Sequence, residues 1–188
     1  MNSRPFAIFI LLMLSFSLRT QAQTDDVYTA VGLDFSLPVQ DFSEVSTFGV
    51  GLNARFDQRF YKQFSATIGI GYSYFSASAR LDGSQADSLT SPFINYIPIK
   101  AGIKYNLSKA LYVIAEAGVA RTWTSNDGVD EVKRLRFCFA PGFGLYTETP
   151  WGRFDVHARV EGFMLGSRDD IQAPTYFFPS LRIAYCFQ

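Results

Sequence analysis

The segment "ATIGIGYSYF", residues 66–75, alternates strictly between two kinds of side chain. One face carries Ala66, Ile68, Ile70, Tyr72 and Tyr74, and the other carries Thr67, Gly69, Gly71, Ser73 and Phe75. Successive side chains of a β-strand point to opposite faces, so this alternation predicts a strand with two unlike faces. The second face holds glycine and hydroxyl groups but no charge, which suits a crowded interior. We expect Ile68 and Ile70 to face outward, and Gly69 and Gly71 to line the interior.

The first residues of the chain differ from the rest. They read "MNSRPFAIFILLMLSFSLRTQAQ", with Arg4 ahead of an apolar stretch at 6–18. This pattern is typical of a secretory signal peptide. The apolar stretch is shorter than the roughly 20 apolar residues that a membrane-spanning helix needs. We predict a signal peptide over residues 1–22 and an exported domain over residues 23–188.

Alternating segments like the first one recur along the remainder of the chain, separated by turn-rich gaps. The predicted strands are Val27–Ser36, Ser46–Phe56, Gln63–Ser76, Phe93–Tyr105, Ala110–Trp123, Leu135–Thr147, Arg153–Leu165 and Thr175–Phe187. The apolar rows of the second, fourth, fifth, seventh and eighth strands carry no charge, where the row of the fifth runs from Leu111 to Val119. The opposite face mixes charges with glycine, which weakens an ordinary solvent-exposed strand. Long and short connections alternate, as in barrels with both termini on one side of a membrane. The pattern predicts one domain, an all-β, eight-stranded antiparallel up-and-down transmembrane β-barrel.

Aromatic residues near the predicted strand ends indicate two interfacial girdles. One set is Tyr61, Phe64, Tyr105, Trp151, Phe154, Tyr185 and Phe187, and the other is Phe35, Tyr74, Phe93, Trp123 and Phe177. A soluble lipocalin-like binding barrel is the alternative, because it would bury the same aromatics inside. The 17 basic and 17 acidic residues cancel, so nothing indicates a nucleic-acid partner. We expect the protein to lie in the cell outer membrane as a monomer that is surrounded by outer-membrane lipid.

The segment "YIPIKAGIKYNLSKALYVIAEAGVA", residues 96–120, resembles the outer-membrane β-barrel domain common in Bacteroidota. That family includes OmpA/OmpX-like barrels and small barrels similar to PorT, a porin-like fold. The end "SLRIAYCFQ" resembles the signal read by the barrel assembly machinery, although Gln188 follows the terminal aromatic Phe187. The resemblance implies location, fold and that machinery as a partner during biogenesis. It implies no reaction, because such domains host unrelated functions.

Charged residues on the inward face form the candidate site. They are Arg55, Lys100, Glu116, Arg159, Glu161 and Arg182. If the hairpin is centred near Ser108, Lys100 and Glu116 stand opposite each other, and opposite charges across strands stabilise a sheet. Arg159, Glu161 and Arg182 are expected to form a second cluster. The set is either a pore constriction or ligand site, or a structural plug of ion pairs, because eight strands enclose just enough room for side chains. We expect the plug.

Catalysis has one candidate residue, His157, the only histidine in the chain. Asp155 and Arg159 share its predicted face, but no serine on that strand does, so a nucleophile and its base are not both present. We expect no enzyme, no catalytic residue, no cofactor and no metal site. A lipid-modifying outer-membrane enzyme is the alternative, and no matching constellation of His, Ser and Glu is evident.

Three further features complete the expectations. Cys138 and Cys186 both point inward, but at opposite ends of the barrel, too far apart for the Cα separation of about 7 Å that a disulfide tolerates.

Pro98, Pro141 and Pro179 interrupt predicted strands, so each should lie at a bulge or beyond the rim, with Pro141 the hardest to place. The Ser- and Asp-rich connection at 78–92 is the longest, and is either a solvated loop or the contact for an extracellular partner.

Overall fold

A computed structural model describes residues 27–77, 93–124, 134–164 and 175–187, almost entirely as strands. The strands are β1 (Val27–Ser36), β2 (Ser46–Tyr61), β3 (Phe64–Ala77), β4 (Phe93–Asn106), β5 (Leu111–Thr124), β6 (Arg134–Thr149), β7 (Gly152–Met164) and β8 (Thr175–Phe187). One short helix, α1 (Asp41–Val45), lies between β1 and β2. Within this described part, no helix is both long and apolar enough to cross a membrane.

The strands form a closed ring in which every strand pairs with its neighbours in sequence. The order is β1 to β8, all pairs are antiparallel, and β8 closes against β1 through pairs such as Leu33 with Ile183. Closure leaves no free sheet edge, so every strand has two hydrogen-bonded neighbours. The predicted eight-stranded antiparallel up-and-down barrel is confirmed.

Large apolar side chains cover the outside of the barrel. Ile68 and Ile70 are 54% and 53% exposed, and the same outward parity carries Leu52 on β2 and Ile103 on β4. The glycine face of β3 turns the other way, because Gly69 and Gly71 line an interior cavity. The expectation drawn from "ATIGIGYSYF" is therefore confirmed on both faces.

The predicted aromatic girdles have unequal outcomes. At the short-turn end, where both described termini lie, Tyr61, Phe64, Trp151, Tyr185 and Phe187 are exposed, while Tyr105 and Phe154 are half-buried. At the long-loop end, Phe35 is exposed, while Tyr74, Trp123 and Phe177 are half-buried. The side chain of Phe93 lies outside the described part. A ring of exposed aromatics is thus clearest where the turns are short.

Aromatic side chains fill the interior near the long-loop end. Buried Phe42, Phe75, Tyr96, Ala120, Cys138, Phe163 and Phe178 form this aromatic cluster. Phe42 comes from α1 and is fully buried, with its ring centroid 5.1 Å from that of Phe75 and 5.0 Å from that of Tyr176. The connection between β1 and β2 therefore folds back into the mouth of the barrel.

Prolines sit inside strands without bulges, which corrects the expectation for Pro98 and Pro141. Pro141 pairs with Ala115 on β5, whereas its ladder to β7 is interrupted between Phe139–Gly162 and Gly142–Arg159, with no shift of register. Pro98 likewise pairs with Ala120, and the ladder to β3 is interrupted beside it. Proline lacks only the N–H, so the strand loses bonds to one neighbour and keeps the other.

Pro179 is also paired. It faces Val160 on β7, and its carbonyl accepts a hydrogen bond from the Leu37 N–H at 2.9 Å. Because a carbonyl is all that proline can offer a ladder, this position suits it.

Candidate functional site

Gly69 lies between two basic residues, Arg55 and Lys100, whose side chains enter the interior of the barrel. The register places it opposite Arg55 on β2 and opposite Lys100 on β4. Because glycine has no side chain, the long side chains of both neighbours can turn into the lumen beside it; a Cβ at Gly69 would lie 3.8 Å from Arg55 Cγ. All six predicted charges, Arg55, Lys100, Glu116, Arg159, Glu161 and Arg182, are directed into the barrel.

Asp155, on β7, organises one ion-pair network. Its Oδ2 accepts a hydrogen bond from Arg55 Nη2 at 2.7 Å, and its Oδ1 accepts one from the Tyr112 hydroxyl at 2.6 Å. Arg55 also donates to Asp57 at 2.8 Å, and Asp57 accepts a bond from Lys104 Nζ at 2.6 Å. We call Arg55, Asp57, Lys104, Tyr112 and Asp155 the Asp155 network. All five side chains are buried, so their charges are balanced by one another rather than by water.

Glu161, six residues further along β7 toward the long loops, organises a second network. Its carboxylate accepts hydrogen bonds from the Tyr96 hydroxyl at 2.6 Å, Lys100 Nζ at 2.8 Å and Arg159 Nε at 2.9 Å. Arg159 also lies 3.2 Å from Asp34 Oδ2. We call Asp34, Tyr96, Lys100, Arg159 and Glu161 the Glu161 network. Tyr96 also belongs to the aromatic cluster, so it connects the Glu161 network to that cluster.

The predicted pairing of Lys100 with Glu116 is wrong. Lys100 stands opposite Gly118, and Glu116 stands opposite Gly102, because the hairpin is centred on Lys109 rather than Ser108. The Ser108 hydroxyl accepts hydrogen bonds from the N–H groups of Ala110, at 3.2 Å, and Leu111, at 2.9 Å. Ser108 therefore lies on the β4 side of the turn. The shift is two residues, so both side chains still point inward.

Arg182 does not join Arg159 and Glu161 as expected. Its Nη1 lies 3.7 Å from Asp155 Oδ2, nearer the Asp155 network. Arg182 does line a small cavity of about 20 Å³ at the level between the two networks, together with Arg55, Arg159 and Glu116. A buried water needs about 10–15 Å³ of such space, so the gap has room for about one.

His157 lies inside the barrel, as its parity predicted. It is fully buried opposite Arg182 on β8 and Gly144 on β6, with its ring centroid 5.9 Å from that of Tyr112. A Cβ at Gly142 would come within 2.5 Å of His157 Nε2, so the imidazole occupies space that this glycine leaves free. Neither ring nitrogen has a hydrogen-bond partner among the described residues.

The sequence predicts that the second strand ends at Phe56, and for that reason it does not indicate Asp57 as part of the site. The structure continues β2 to Tyr61, which makes Asp57 a buried partner of both Arg55 and Lys104. A signal was present: Phe56 and Phe60 continue the outward parity and are both exposed. The interior tyrosines Tyr96, Tyr112 and Tyr146, whose hydroxyls bond to the buried charges, were also missed.

The two cysteines are free and buried, which confirms that prediction. Cys138 lies in the aromatic cluster, whereas Cys186 packs with Ala30 and Ala184 near the other end. The two thiols therefore occupy different layers of the interior.

No protein-family model matches the chain, and no curated protein matches it. Solved structures do share its fold. Ail, the attachment invasion locus protein of Yersinia pestis, in complex with the heparin analogue sucrose octasulfate, is 14% identical over 86% of this chain and 98% of its own, with a TM-score of 0.55. Neisserial surface protein A is 13% identical over 86% and 97%, with a TM-score of 0.53. The N-terminal β-barrel domain of Pseudomonas aeruginosa OprF is 12% identical over 88% and 100%, with a TM-score of 0.50. The chain thus has the fold of small eight-stranded outer-membrane barrels.

Proposed function

We propose that this protein is a monomeric outer-membrane β-barrel with a structural or surface-interaction role, no catalytic activity and a lumen closed to ions. Residues 1–22 serve as the signal peptide and residues 23–188 form the barrel, which the barrel assembly machinery inserts. The single observation that carries the proposal is the inversion of polarity: the charges lie inside the ring and the large apolar side chains lie outside.

That inversion favours a lipid environment over water. Ile68, Leu52 and Ile103 are each more than half exposed, whereas Arg182, Asp155 and Glu161 are almost fully buried. A soluble lipocalin-like binder needs the reverse, an apolar pocket inside and a polar surface outside. The exposed aromatics at the short-turn end fit one membrane interface, which we assign to the periplasmic side.

A closed lumen is supported by the two networks and the aromatic cluster, which follow one another along the barrel axis. Arg55 and Lys100 reach across to acidic residues on β7, at 2.7 and 2.8 Å. Phe42 and its aromatic neighbours occupy the interior beyond them. An ion that entered this path would have to separate buried ion pairs. Each buried charge left without its partner costs about 3–5 kcal/mol.

A role at the cell surface is supported by the placement of the long connections at one end. The loop 78–92 is our candidate for an extracellular partner, and it lies outside the described residues. Ail, which shares the fold, was solved with the heparin analogue sucrose octasulfate. The resemblance of residues 96–120 to Bacteroidota barrels of the OmpA/OmpX-like and PorT-like kind supports the outer-membrane location and the fold.

Membrane fractionation tests the location. We expect the mature protein in the outer-membrane fraction, released by detergent and not by high salt, with its N-terminus at Gln23. A mature protein that stays in the aqueous periplasmic fraction without detergent would contradict the proposal and favour the soluble binder.

Planar-bilayer recording tests the closed lumen. We expect no steady ion current from the wild-type barrel. A variant in which Lys100, Arg159 and Glu161 are all serine loses only the Glu161 network, so it should stay closed while the Asp155 network and the aromatic cluster still block the path. A steady current through the wild-type protein would contradict the closed lumen.

A further inference from the structure

A second polar site lies at the short-turn end, next to the Asp155 network, with which it shares Lys104. It is a cleft of about 50 Å³ between the ends of β1, β2, β3, β4, β6 and β7. Four basic residues line it: Arg59, Lys104, Lys109 and Arg153. The rest of its described lining is tyrosine, serine and asparagine, without a carboxylate. A water needs about 10–15 Å³ of such space, so the cleft has room for a small polyatomic anion.

Lys104 does not account for the excess positive charge. Its Nζ is 2.6 Å from Asp57 Oδ2, so its charge is balanced within the Asp155 network. Glu148 faces Arg153 in the register of β6 and β7, but its side chain is exposed and does not line the cleft. The cleft therefore keeps more positive than negative charge on its walls.

The Arg153 guanidinium lies over two aromatic rings. Its guanidinium carbon lies 4.9 Å from the ring centroid of Tyr28 and 4.2 Å from that of Tyr146. Its Nε is buried and has no hydrogen-bond partner among the described residues. Stacking on aromatic rings fixes the plane of a guanidinium, whose forked N–H groups match the oxygens of a phosphate. Lys109, exposed on the turn between β4 and β5, adds a second positive charge to the lining of the cleft.

We propose that this cleft binds a phosphate group, with Arg153 as the main ligand and Lys109 as the second. Two sources share that chemistry: free inorganic phosphate, and the headgroup of a phospholipid beside the rim. Exposed aromatics such as Trp151 and Phe64 mark the same end of the barrel, which is the level at which headgroups lie in our membrane assignment.

Calorimetric titration of the detergent-solubilised barrel tests the site. The detergent should be an uncharged maltoside and the buffer free of phosphate, and inorganic phosphate is the first ligand. We expect saturable binding by the wild type, and about tenfold weaker binding for R153Q and for K109Q, since each removes a charged hydrogen bond. K62Q is the matched control, because Lys62 is exposed on another turn at the same end and does not line the cleft. It should change the affinity by less than about twofold.

Two further variants and ligands sharpen the result. R153K keeps the charge but loses the planar fork, so its affinity should fall between those of wild type and R153Q. If R153Q does not fold, K109Q still tests the site, because Lys109 lies on an exposed turn. Short-chain phosphatidate and short-chain phosphatidylcholine identify the source: phosphatidate binding more tightly than inorganic phosphate supports a lipid headgroup, and the reverse order supports free phosphate. Absence of saturable binding, an equal loss in K62Q, or acetate binding as tightly as phosphate would overturn the proposal.

Discussion

Arg55 and Asp155 lie three strands apart around the ring, yet Arg55 Nη2 is 2.7 Å from Asp155 Oδ2. Lys100 and Glu161 repeat the arrangement one level further along, at 2.8 Å. Each contact crosses the interior instead of following the sheet. The side chains therefore tie distant walls of the barrel together, which the backbone ladder alone does not do.

Removing Arg55 should destabilise the barrel strongly. R55Q leaves Asp57 and Asp155 buried without their shared cation, and breaking a buried pair costs about 3–5 kcal/mol. The unfolding free energy in detergent micelles, followed by tryptophan fluorescence in urea, measures the loss. R121Q is the control, because Arg121 is exposed and an exposed charge contributes about 0–1 kcal/mol. Equal losses for the two variants would show that the interior network does not stabilise the fold.

Phe42 should anchor the connection between β1 and β2. Its ring is fully buried against Phe75, Phe163 and Tyr176. F42A should lower the unfolding free energy by about 3 kcal/mol, the scale for emptying a phenylalanine site. E44Q, an exposed change on the same helix, should have little effect. A silent F42A would mean that the helix is not docked in the mouth of the barrel.

A charge on the outward face should cost free energy according to its depth. Ile70 lies near the middle of β3, whereas Phe60 lies near the short-turn end of β2, and both are exposed. In lipid vesicles, I70R should lose about 2–4 kcal/mol of unfolding free energy and F60R about 0–1 kcal/mol. If both variants lost the same amount, the proposed position of the membrane would be wrong.

The two cysteines should resist labelling in the folded barrel. Both are buried, so a maleimide reagent should modify neither until denaturant is added, and then should modify two thiols per chain. K62C provides the control, because its position is exposed on a turn and should label within the mixing time. Rapid labelling of native Cys138 or Cys186 would show that the interior opens to solvent.

The number and order of the strands could be predicted from the sequence because alternation is a local property. β1 and β8 were predicted with the bounds that the structure has, and the other strands within a few residues. The largest difference is the end of β2, five residues later than predicted, because the turn residues Lys62 and Gln63 follow a continuing alternation of exposed Phe56 and Phe60. That one boundary hid Asp57, and with it the link between Arg55 and Lys104.

For the candidate site, the sequence predicts the direction of the side chains but not their partners. Arg55, Lys100 and Glu161 point inward because a strand places every second side chain on one face. Their hydrogen-bond partners could not be predicted, because these contacts cross the lumen between strands that are not neighbours, and spacing along the sequence does not give that distance. Lys100 was assigned to Glu116 on the adjacent strand and instead bonds to Glu161 across the barrel.

Alternation along each strand was therefore enough to predict which side chains point inward and which point outward, beginning with the glycine face of "ATIGIGYSYF". Closure of the ring decided the rest. It placed Gly69 between Arg55 and Lys100, brought Asp155 within reach of Arg55 and Glu161 within reach of Lys100, and folded Phe42 into the mouth of the barrel. These relationships depend on the curvature and register of all eight strands together, and no single strand contains that information.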